Sequence, residues 1–434
     1  MSFNTALSGL QAARADLDVT ANNIANANTT GFKRSTATFA DVFSDTQGTA
    51  GASAGNGVAL AKITQQFDQG KIEDSNSDLH LAINGDGFFA LKDVNEDSTV
   101  FTRDGSFLLD QDGFLVNAGG LQVQAFPVVA GSEETETIRF SNGVLEPIQL
   151  TNPIGAPKAT GNITLKLNYR AYQAVNPFQD GAGANLNAPF TRADITNPIE
   201  PNDQGTFDYT TTINVFDSIG NPHSIAVYAR RAGDNTYAVD AYIDGQNTPV
   251  NADPIALTFS AAGELTTNPS VFTLNVPAET VGQGADALSL NLNLAGSTML
   301  GSAFSISDQS QDGRTTGRLT GLEIDQEGIV RAGYTNGLTT PLGKIALATF
   351  GNNQGLRAGG GNTFIPTPDS GEAILGEAGT STFGLIQAGG LETSNVDISQ
   401  QLVRLITAQR NFQAASKVIS TNDQITQTAI NLGR

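Results

Sequence analysis

The segment ALSGLQAARADLDVTANNIANANTTGFKRS, Ala6 to Ser35, decides how the chain is to be interpreted, because a patterned helix meets an asparagine-rich end there. Apolar residues recur every seven positions, and Ala or Thr follows each of the first three after three positions. This seam, sustained over about three heptads, predicts a helix that packs against a partner helix. The residues that we expect to serve assembly on this helix are Phe3, Leu7, Leu10, Leu17, Asn22, Asn23, Ile24 and Asn26.

The end of the chain carries a matching pattern. We expect the two terminal helices to pair because each seam is narrow; the alternative is that each packs separately on a globular core. Asp397 or Ser399 can cap the start of the second helix. Its heptad repeat shifts by one residue near Val418, as a 3.6-residue period drifts against seven. The predicted assembly residues are Ile398, Leu402, Leu405, Phe412, Val418, Ile419, Ile425 and Leu432.

The asparagines at the end of the first helix have two interpretations. In one, they cap and fray the helix and tolerate left-handed geometry. In the other, the amides of Asn22, Asn23 and Asn26 share one side of the helix and fix the register between neighbouring subunits. After them, Gly31 lets the chain leave the helix. The predicted helix-exit residues are Thr29, Gly31 and Phe32.

Between the helices the pattern becomes that of β-strands. Alternation is strict in ITLKLNYR from Ile163 and in LSLNLNL from Leu288, and looser in YTTTINVF from Tyr209 and YAVDAYID from Tyr237. These segments predict half-buried antiparallel strands. Asp-Gly and Asn-Gly pairs between the strands predict hairpin turns. We therefore expect a multidomain chain with coiled-coil-like paired α-helical termini and mainly-β inner and outer domains that are discontinuous and nested.

Composition excludes several function classes. The net charge of −20 lies in residues 71–390, since residues 1–70 and 391–434 are together neutral, and it argues against nucleic-acid binding. The chain has no cysteine and two histidines, so disulfides and a cysteine metal site are excluded and a histidine-rich site is not expected. We expect no membrane-spanning helix and no cleaved secretory signal.

Candidate chemistry is sparse. The Asp-x-Asp-Gly sequence from Asp110 lacks the acids that a calcium loop needs before and after it, so hairpin turns are the better interpretation. The glycine-rich stretch 351–362 has no Gly-Lys-Ser/Thr and is not a phosphate-binding loop. We expect no catalytic residues, no metal, no cofactor and no enzyme activity.

A long stretch without bulky side chains, SDTQGTAGASAGNG from Ser44 to Gly57, resembles a linker. Structureless loops of more than about 12–15 residues are uncommon in compact domains, so this one is expected to be disordered or functional.

Four segments in order resemble the bacterial flagellar rod and hook protein family. They are Ala6–Ser35, Ile83–Phe126 (INGDGFFAL to LQVQAF), Leu319–Phe350 (LTGLEIDQEGIV to IALATF) and Leu391–Gln427 (LETSNVDISQQL to DQITQ). The resemblance implies a terminal helical assembly domain (1–30 and 397–434), linkers (31–75 and 385–396), an inner β-rich domain (76–145 and 314–384) and an outer β-rich insert (146–313).

The length of the insert resembles that of the outer domain in hook subunits. This resemblance implies that the chain is a structural subunit of a curved, flexible tube that transmits motor torque. The nearest alternative is a distal rod subunit, and an alternative of another class is a secreted β-rich adhesin. The implied partners are further copies of the chain, the distal rod protein, the hook–filament junction protein, the hook cap and the flagellar type III export apparatus. The implied location is the extracellular flagellum, and the terminal helices are expected to be largely disordered before assembly. The resemblance also implies that Ser44–Gly57 orders only against neighbouring subunits and acts as part of a hinge.

Overall fold

The computed structural model describes residues 2–42, 57–94, 98–129, 138–141, 143–151, 154–171, 199–233, 235–282, 284–380 and 382–432. The helices are α1 (Ser2–Ala25), α2 (Ala278–Val281) and α3 (Ile398–Leu432). The strands are β1 (Ser35–Asp41), β2 (Val58–Gln65), β3 (Ile72–Asp74), β4 (Leu81–Asn84), β5 (Phe88–Asp93), β6 (Ser98–Thr102), β7 (Leu108–Leu109), β8 (Leu115–Val116), β9 (Gln122–Phe126), β10 (Glu146–Pro147), β11 (Ile154–Gly155), β12 (Asn162–Arg170), β13 (Tyr209–Phe216), β14 (Pro222–Gly233), β15 (Thr236–Ile243), β16 (Ile255–Thr258), β17 (Val271–Val276), β18 (Leu288–Asn293), β19 (Thr298–Leu300), β20 (Ser305–Gln311), β21 (Gly317–Ile324), β22 (Ile329–Tyr334), β23 (Thr339–Thr349), β24 (Arg357–Gly360), β25 (Thr363–Ile365), β26 (Ile374–Glu377), β27 (Leu385–Ala388) and β28 (Gly390–Glu392).

The terminal helices pack along each other, which confirms the predicted pairing. Asn23, near the end of α1, contacts Gln401, near the start of α3, so the two helices run antiparallel. The α3 residues that are buried or half-buried recur at alternating intervals of four and three positions, which is the spacing of a coiled-coil seam. They are Gln401, Leu405, Ala408, Phe412, Ala415, Ile419 and Asn422. Asp397, not Ser399, caps α3, since its carboxylate accepts the backbone N–H of Ser399 and Gln400 at 2.8 and 3.2 Å.

A two-stranded ribbon of β1 and β2 also packs against α1. The backbone N–H of Val58 donates to the hydroxyl of Ser8 at 3.2 Å, which fixes the start of β2 on the helix. The predicted linker 31–75 therefore contains ordered strands on both sides of residues 43–56. The predicted hinge Ser44–Gly57 lies outside the described residues except for Gly57.

The chain divides into two compact units. The first comprises Met1–Thr151, Thr320–Gly333 and Thr339–Arg434. Its β-part is a sheet that runs through β22, β23, β9, β5, β6, β25 and β24. One face is covered by aliphatic side chains such as Leu91 and Leu347, and another region is filled by five phenylalanines in edge-to-face contact.

The second unit comprises Asn152–Leu319 and Tyr334–Leu338 and has two sheets around one core. One sheet has the order β17, β18, β12, β19, with β20 also paired to β12, and the other has the order β13, β14, β15, β16. The alternating residues predicted for β12 and β18 all face this core. β12 pairs antiparallel with β20, as predicted, but it pairs parallel with β18 and β19, which the antiparallel prediction did not include. Parallel pairing is possible because a long crossover, including β13 to β16, separates them in the chain.

One five-residue turn recurs at many hairpins. An Asp, Asn or Ser side chain accepts the backbone N–H groups two and four residues later, and a glycine with positive φ stands fourth. The instances begin at Asp110, Asn117, Asp217, Ser260 and Asp325. The turn interpretation of the Asp-x-Asp-Gly sequence is thereby confirmed, because backbone amides engage the carboxylate of Asp110.

Candidate functional site

The candidate functional site is the joint that fastens the two terminal helices to the β-part of the first unit. At the joint, α1 ends and Gly31 turns the chain with φ of +66°. The Gly31 N–H donates to the carbonyl of Glu392 at 2.8 Å. A Cβ at position 31 would lie 2.7 Å from the carbonyl carbon of Arg103, so a side chain is excluded by both conformation and space.

The amide of Asn23 ties the end of α1 to the chain that follows it. Its Oδ1 accepts the N–H of Ser35 at 2.9 Å, and its Nδ2 donates to the carbonyl of Ser35 at 2.8 Å. The same Nδ2 lies 3.3 Å from Oε1 of Gln401 on α3. Asn23 is 1% exposed, so this side chain replaces a backbone pairing and links both helices to β1.

The joint also contains an ion cluster of Lys33, Arg103 and Glu392, with all three side chains at most 5% exposed. Lys33 Nζ lies 2.6 Å from Oε1 of Glu392, and Arg103 Nη1 lies 3.2 Å from Oε2. The N–H of Gly70 donates to the same Oε1 at 2.7 Å. One carboxylate therefore holds two cations and a backbone amide, from segments far apart in the chain.

Lys33 and Arg103 also donate to backbone carbonyls, whereas Nε of Arg103 is buried without a hydrogen-bond partner among the described residues. Lys33 Nζ donates to Asp68 at 2.9 Å, and Arg103 Nη2 donates to Gly85 at 2.8 Å. Burial lowers the pKa of Lys33, and the charge of Glu392 opposes that shift. The cluster carries two positive charges and one negative charge, so its stability depends on Glu392 above all.

A second set of contacts connects the segments on either side of the cluster. The side chain of Asn395 accepts the N–H of Arg34 at 2.8 Å and donates to the carbonyls of Gln66 and Asp68 at 2.8 and 3.0 Å. The N–H of Gln66 donates to the carbonyl of Arg34 at 2.9 Å. The segments entering and leaving the helical pair are thus bonded to each other.

The predicted site residues fall into three groups. Asn23 and Gly31 lie in the joint, while the amide of Asn26 donates to the carbonyl of Asn22, and Thr29 donates to the Asn26 side chain. Leu10, Leu17, Ile24, Leu405, Phe412, Ile419 and Phe32 are half-buried. Leu7, Asn22, Ile398, Leu402, Val418 and Ile425 are exposed. The side chains of Phe3 and Leu432 lie outside the described part of the chain.

Sequence reasoning missed Lys33, Arg103, Glu392, Gln401 and Asn395. A signal was available, because Lys33, Arg103 and Glu392 each stand in a different one of the segments that resemble the flagellar family. Their partnership was not visible, since nothing in a one-dimensional pattern says that three charges far apart in the sequence share one buried site.

Among the described residues, no helix is both long and apolar enough to span a membrane. Within the same residues, no group of three or more His, Asp and Glu side chains is placed to hold a metal ion.

Known families match successive parts of the chain. They are the flagella basal body rod protein (residues 3–33), the flagellar hook protein FlgE/F/G D1 domain (82–168), the flagellar basal body protein FlaE D2 domain (185–314) and the flagellar basal body rod FlgEFG protein C-terminal family (387–432). Full-length relatives are the flagellar hook proteins FlgE of Escherichia coli K12 and Salmonella typhimurium LT2, which are 35% and 36% identical over 433 residues and cover 100% of both chains. The chain belongs to the flagellar hook protein FlgE family.

A further FlgE relative also matches over its full length. The flagellar hook protein FlgE of Treponema pallidum is 31% identical over 484 residues, covering 100% of this chain and 99% of its own. The crystal structure of Helicobacter pylori flagellar hook protein FlgE2 is 18% identical, covers 74% of this chain and 100% of that one, and has a TM-score of 0.49.

Membership of the FlgE family makes the chain a structural protein of the flagellar hook, outside the cell, and not an enzyme. The insert that distinguished hook from rod subunits by length is matched by the D2 family over most of its extent. The hook assignment predicted from the sequence is thereby confirmed.

Proposed function

We propose that copies of this chain polymerise through their terminal helices into the curved, flexible tube that transmits motor torque to the filament. The observation that carries the proposal is the exposure of apolar side chains on α3, away from its seam with α1. The most exposed of them are Ile398, Leu402, Val403, Ile406, Val418, Ile425 and Ile430, at 46% to 65%. Isolated exposed residues are ordinary, but seven along one helix indicate a surface that is covered on assembly.

The antiparallel register of α1 and α3 leaves the C-terminal end of α3 beyond the reach of α1. Counting back from the contact between Asn23 and Gln401, the start of α1 lies opposite about residue 422, because the two helices rise equally per residue. The described residues of α3 beyond Asn422 are all exposed. We propose that neighbouring copies cover this end, with Leu432 and Phe3 contributing to the same layer.

The predicted assembly residues then have one of two roles. Leu10, Leu17, Ile24, Leu405, Phe412 and Ile419 hold the pair within one copy, and Leu7, Ile398, Leu402, Val418 and Ile425 contact neighbouring copies. Asn22 and Asn26 keep a proposed role in register between copies. The joint passes load from the helices to the β-part, because its contacts are buried and numerous.

The remaining expectations stand as parts of this proposal. They are the four-part domain division with boundaries at 30, 75, 145, 313, 384 and 396, the hinge at Ser44–Gly57, export by the flagellar type III apparatus without signal cleavage, and contacts with the distal rod protein, the junction protein and the cap. The helices are proposed to be largely disordered before assembly, and slow amide exchange of the termini in dilute monomer would contradict that part.

Electron microscopy of the purified chain under polymerising conditions tests the main proposal, and short curved tubes are expected. The double change Val403→Asp with Ile406→Asp should leave a soluble monomer with an intact second unit. Asn411→Asp, at an exposed position about 140° around the same helix from Ile406, is the matched control and should still form tubes. Tubes from the double variant, or equal loss in the control, would contradict the assignment of this surface.

A further inference from the structure

An Asp–His–Asp cluster lies at one end of the sheet β13–β16 in the second unit. His223 stands on β14 opposite Val215, beside the turn that begins at Asp217. Its Nδ1 lies 2.7 Å from Oδ2 of Asp244, the residue that follows β15, and its Nε2 lies 3.4 Å from Oδ2 of Asp217. The imidazole therefore stands between two turns and faces a carboxylate on each side.

Both carboxylates also accept hydrogen bonds from backbone N–H groups. Asp217 accepts the backbone N–H of Ile219 at 3.0 Å and of Asn221 at 2.8 Å, and Asp244 accepts the N–H of Ser224 at 2.8 Å. Backbone N–H groups favour the ionised form of a carboxylate. Each ring nitrogen of His223 must then present a proton, and only the doubly protonated, charged imidazole has protons on both nitrogens.

We propose that Asp217, His223 and Asp244 form a proton-dependent clasp, which fastens the β13–β14 turn to the end of β15 when the imidazole is charged and releases it when the imidazole is neutral. The neutral ring can keep the shorter bond to Asp244. Its Nε2 lone pair then faces Asp217, which is 0% exposed and cannot turn to water, whereas Asp244 is 40% exposed. The released side is therefore the Asp217 turn.

Neighbouring segments of the second unit bring further charged groups near the clasp. Gly220 of the Asp217 turn lies against Pro157 and Thr315, whose segments carry Lys158, Asp312 and Arg314. Lys158 pairs with Asp312 at 3.6 Å. Asp286 approaches through its backbone N–H, which donates to the Ser218 hydroxyl. The charges with the largest effect on His223 are those of Asp244 and Asp217.

The direction of the pH dependence follows from the same contacts. Burial opposes the charged ring, but the hydrogen bonds to Asp244 and Asp217 outweigh it and raise the pKa of His223. Burial likewise opposes ionisation of Asp217, but hydrogen bonds from Asn221, His223 and Ile219 outweigh it and lower that pKa. The stabilisation from His223 is complete below about pH 6.5, the ordinary histidine value, and is lost as pH rises through the folded value.

The tyrosines of the chain make the test specific. All seven fall in the second unit, and the sequence has no tryptophan, so intrinsic fluorescence reports unfolding of that unit in the full-length chain. Burial raises the pKa of Tyr169 and of Tyr237, which keeps these fluorophores neutral at mildly alkaline pH.

The experiment is urea unfolding of the full chain by tyrosine fluorescence at pH 5.5 and pH 8.5. The wild-type midpoint should be higher at pH 5.5, and His223→Gln should lose that difference. His80→Gln, the matched control in the first unit, should retain it. Equal pH shifts in the wild type and His223→Gln would overturn the proposal.

A second measurement keeps the proposal testable if His223→Gln does not fold. The ring carbon-bound protons of the two histidines can be followed by NMR through a pH titration of the wild-type chain. The His223 signal should titrate above the value of histidine in the urea-unfolded chain, and Asp244→Asn should move its midpoint downward. A His223 midpoint at or below the unfolded value would overturn the proposal.

Discussion

Replacing Glu392 by glutamine gives the sharpest test of the joint. The side chain is 1% exposed and supplies the negative charge that faces Lys33 and Arg103. Glutamine keeps the volume and one carbonyl oxygen, so the packing changes little. What remains is two buried cations without a carboxylate between them.

The expected magnitude follows from that arrangement. Removing one partner of a buried ion pair costs about 3–5 kcal/mol, because the other charge is left uncompensated. Lys33→Met instead leaves a neutral pair of Arg103 and Glu392. It removes the hydrogen bond to Glu392, which costs about 1.5–3 kcal/mol, and the hydrogen bond to the Asp68 carbonyl, which still accepts from Asn395. We therefore expect Glu392→Gln to be the more damaging change, although it is the more conservative one in shape.

Amide hydrogen exchange of the full-length chain measures the effect where it occurs. The reporters are the N–H groups of Gly31, bonded to the carbonyl of Glu392, and of Thr393, bonded to the carbonyl of Lys71. A cost of about 3–5 kcal/mol corresponds to exchange that is faster by roughly two to three and a half powers of ten. These amides contact no atom that Glu392→Gln replaces, so their rates report opening of the joint.

Asp68→Asn is the matched control. Its carboxylate lies 3.7 Å from Nη2 of Arg34 and is 74% exposed, so its loss should cost at most about 1 kcal/mol. If Glu392→Gln opened the joint no more than Lys33→Met, the carboxylate would not be the counter-charge on which the cluster depends. Equal effects of Glu392→Gln and Asp68→Asn would refute the reasoning altogether.

Other predictions concern the residues around the cluster. Gly31→Ala should lower the urea midpoint of the first unit, measured by circular dichroism. Gly120→Ala should lower it less, because Gly120 also has a positive φ but faces open space. Equal decreases of the midpoint would exclude the contact with Arg103 as the cause. The next two changes are measured by amide exchange in assembled tubes. Asn23→Ala should cost about 2–4 kcal/mol at the Ser35 amide, because two backbone groups of Ser35 lose their partner, and the exposed Asn22→Ala should cost little. Asp397→Ala should cost about 1 kcal/mol of helix stability at the Ser399 amide, and Ser399→Ala should not reproduce it.

The helices and much of the β-structure were predictable because their signals are periodic and local. The heptad repeats through Leu405 and Phe412 predicted that the termini pair, and α1 and α3 do so. The alternation in β12 placed Ile163, Leu165 and Leu167 in a core, where they lie. Each of these patterns reflects a preference for burial that recurs at regular spacing along one segment. It can therefore be recognised without knowing which segment packs against it.

The joint was not predictable in the same way. Asn23 was expected either to fray the helix or to contact another copy, and its pairing with Ser35 of its own chain was not predicted. Glu392 belongs to no periodic pattern, because it is a single buried carboxylate, so its burial could not be predicted. The parallel pairing of β12 with β18 was missed for a related reason: alternation fixes the face of a strand but not the direction of its neighbour.

The cluster at the joint also has a consequence for when the helices can be fastened. Lys33 and Arg103 lie in the first quarter of the chain, but their carboxylate arrives only at residue 392 of 434. A chain made from its N-terminus cannot close the joint until nearly all of it is available. A product that stops before residue 392 would leave Lys33 and Arg103 without the carboxylate that faces both of them.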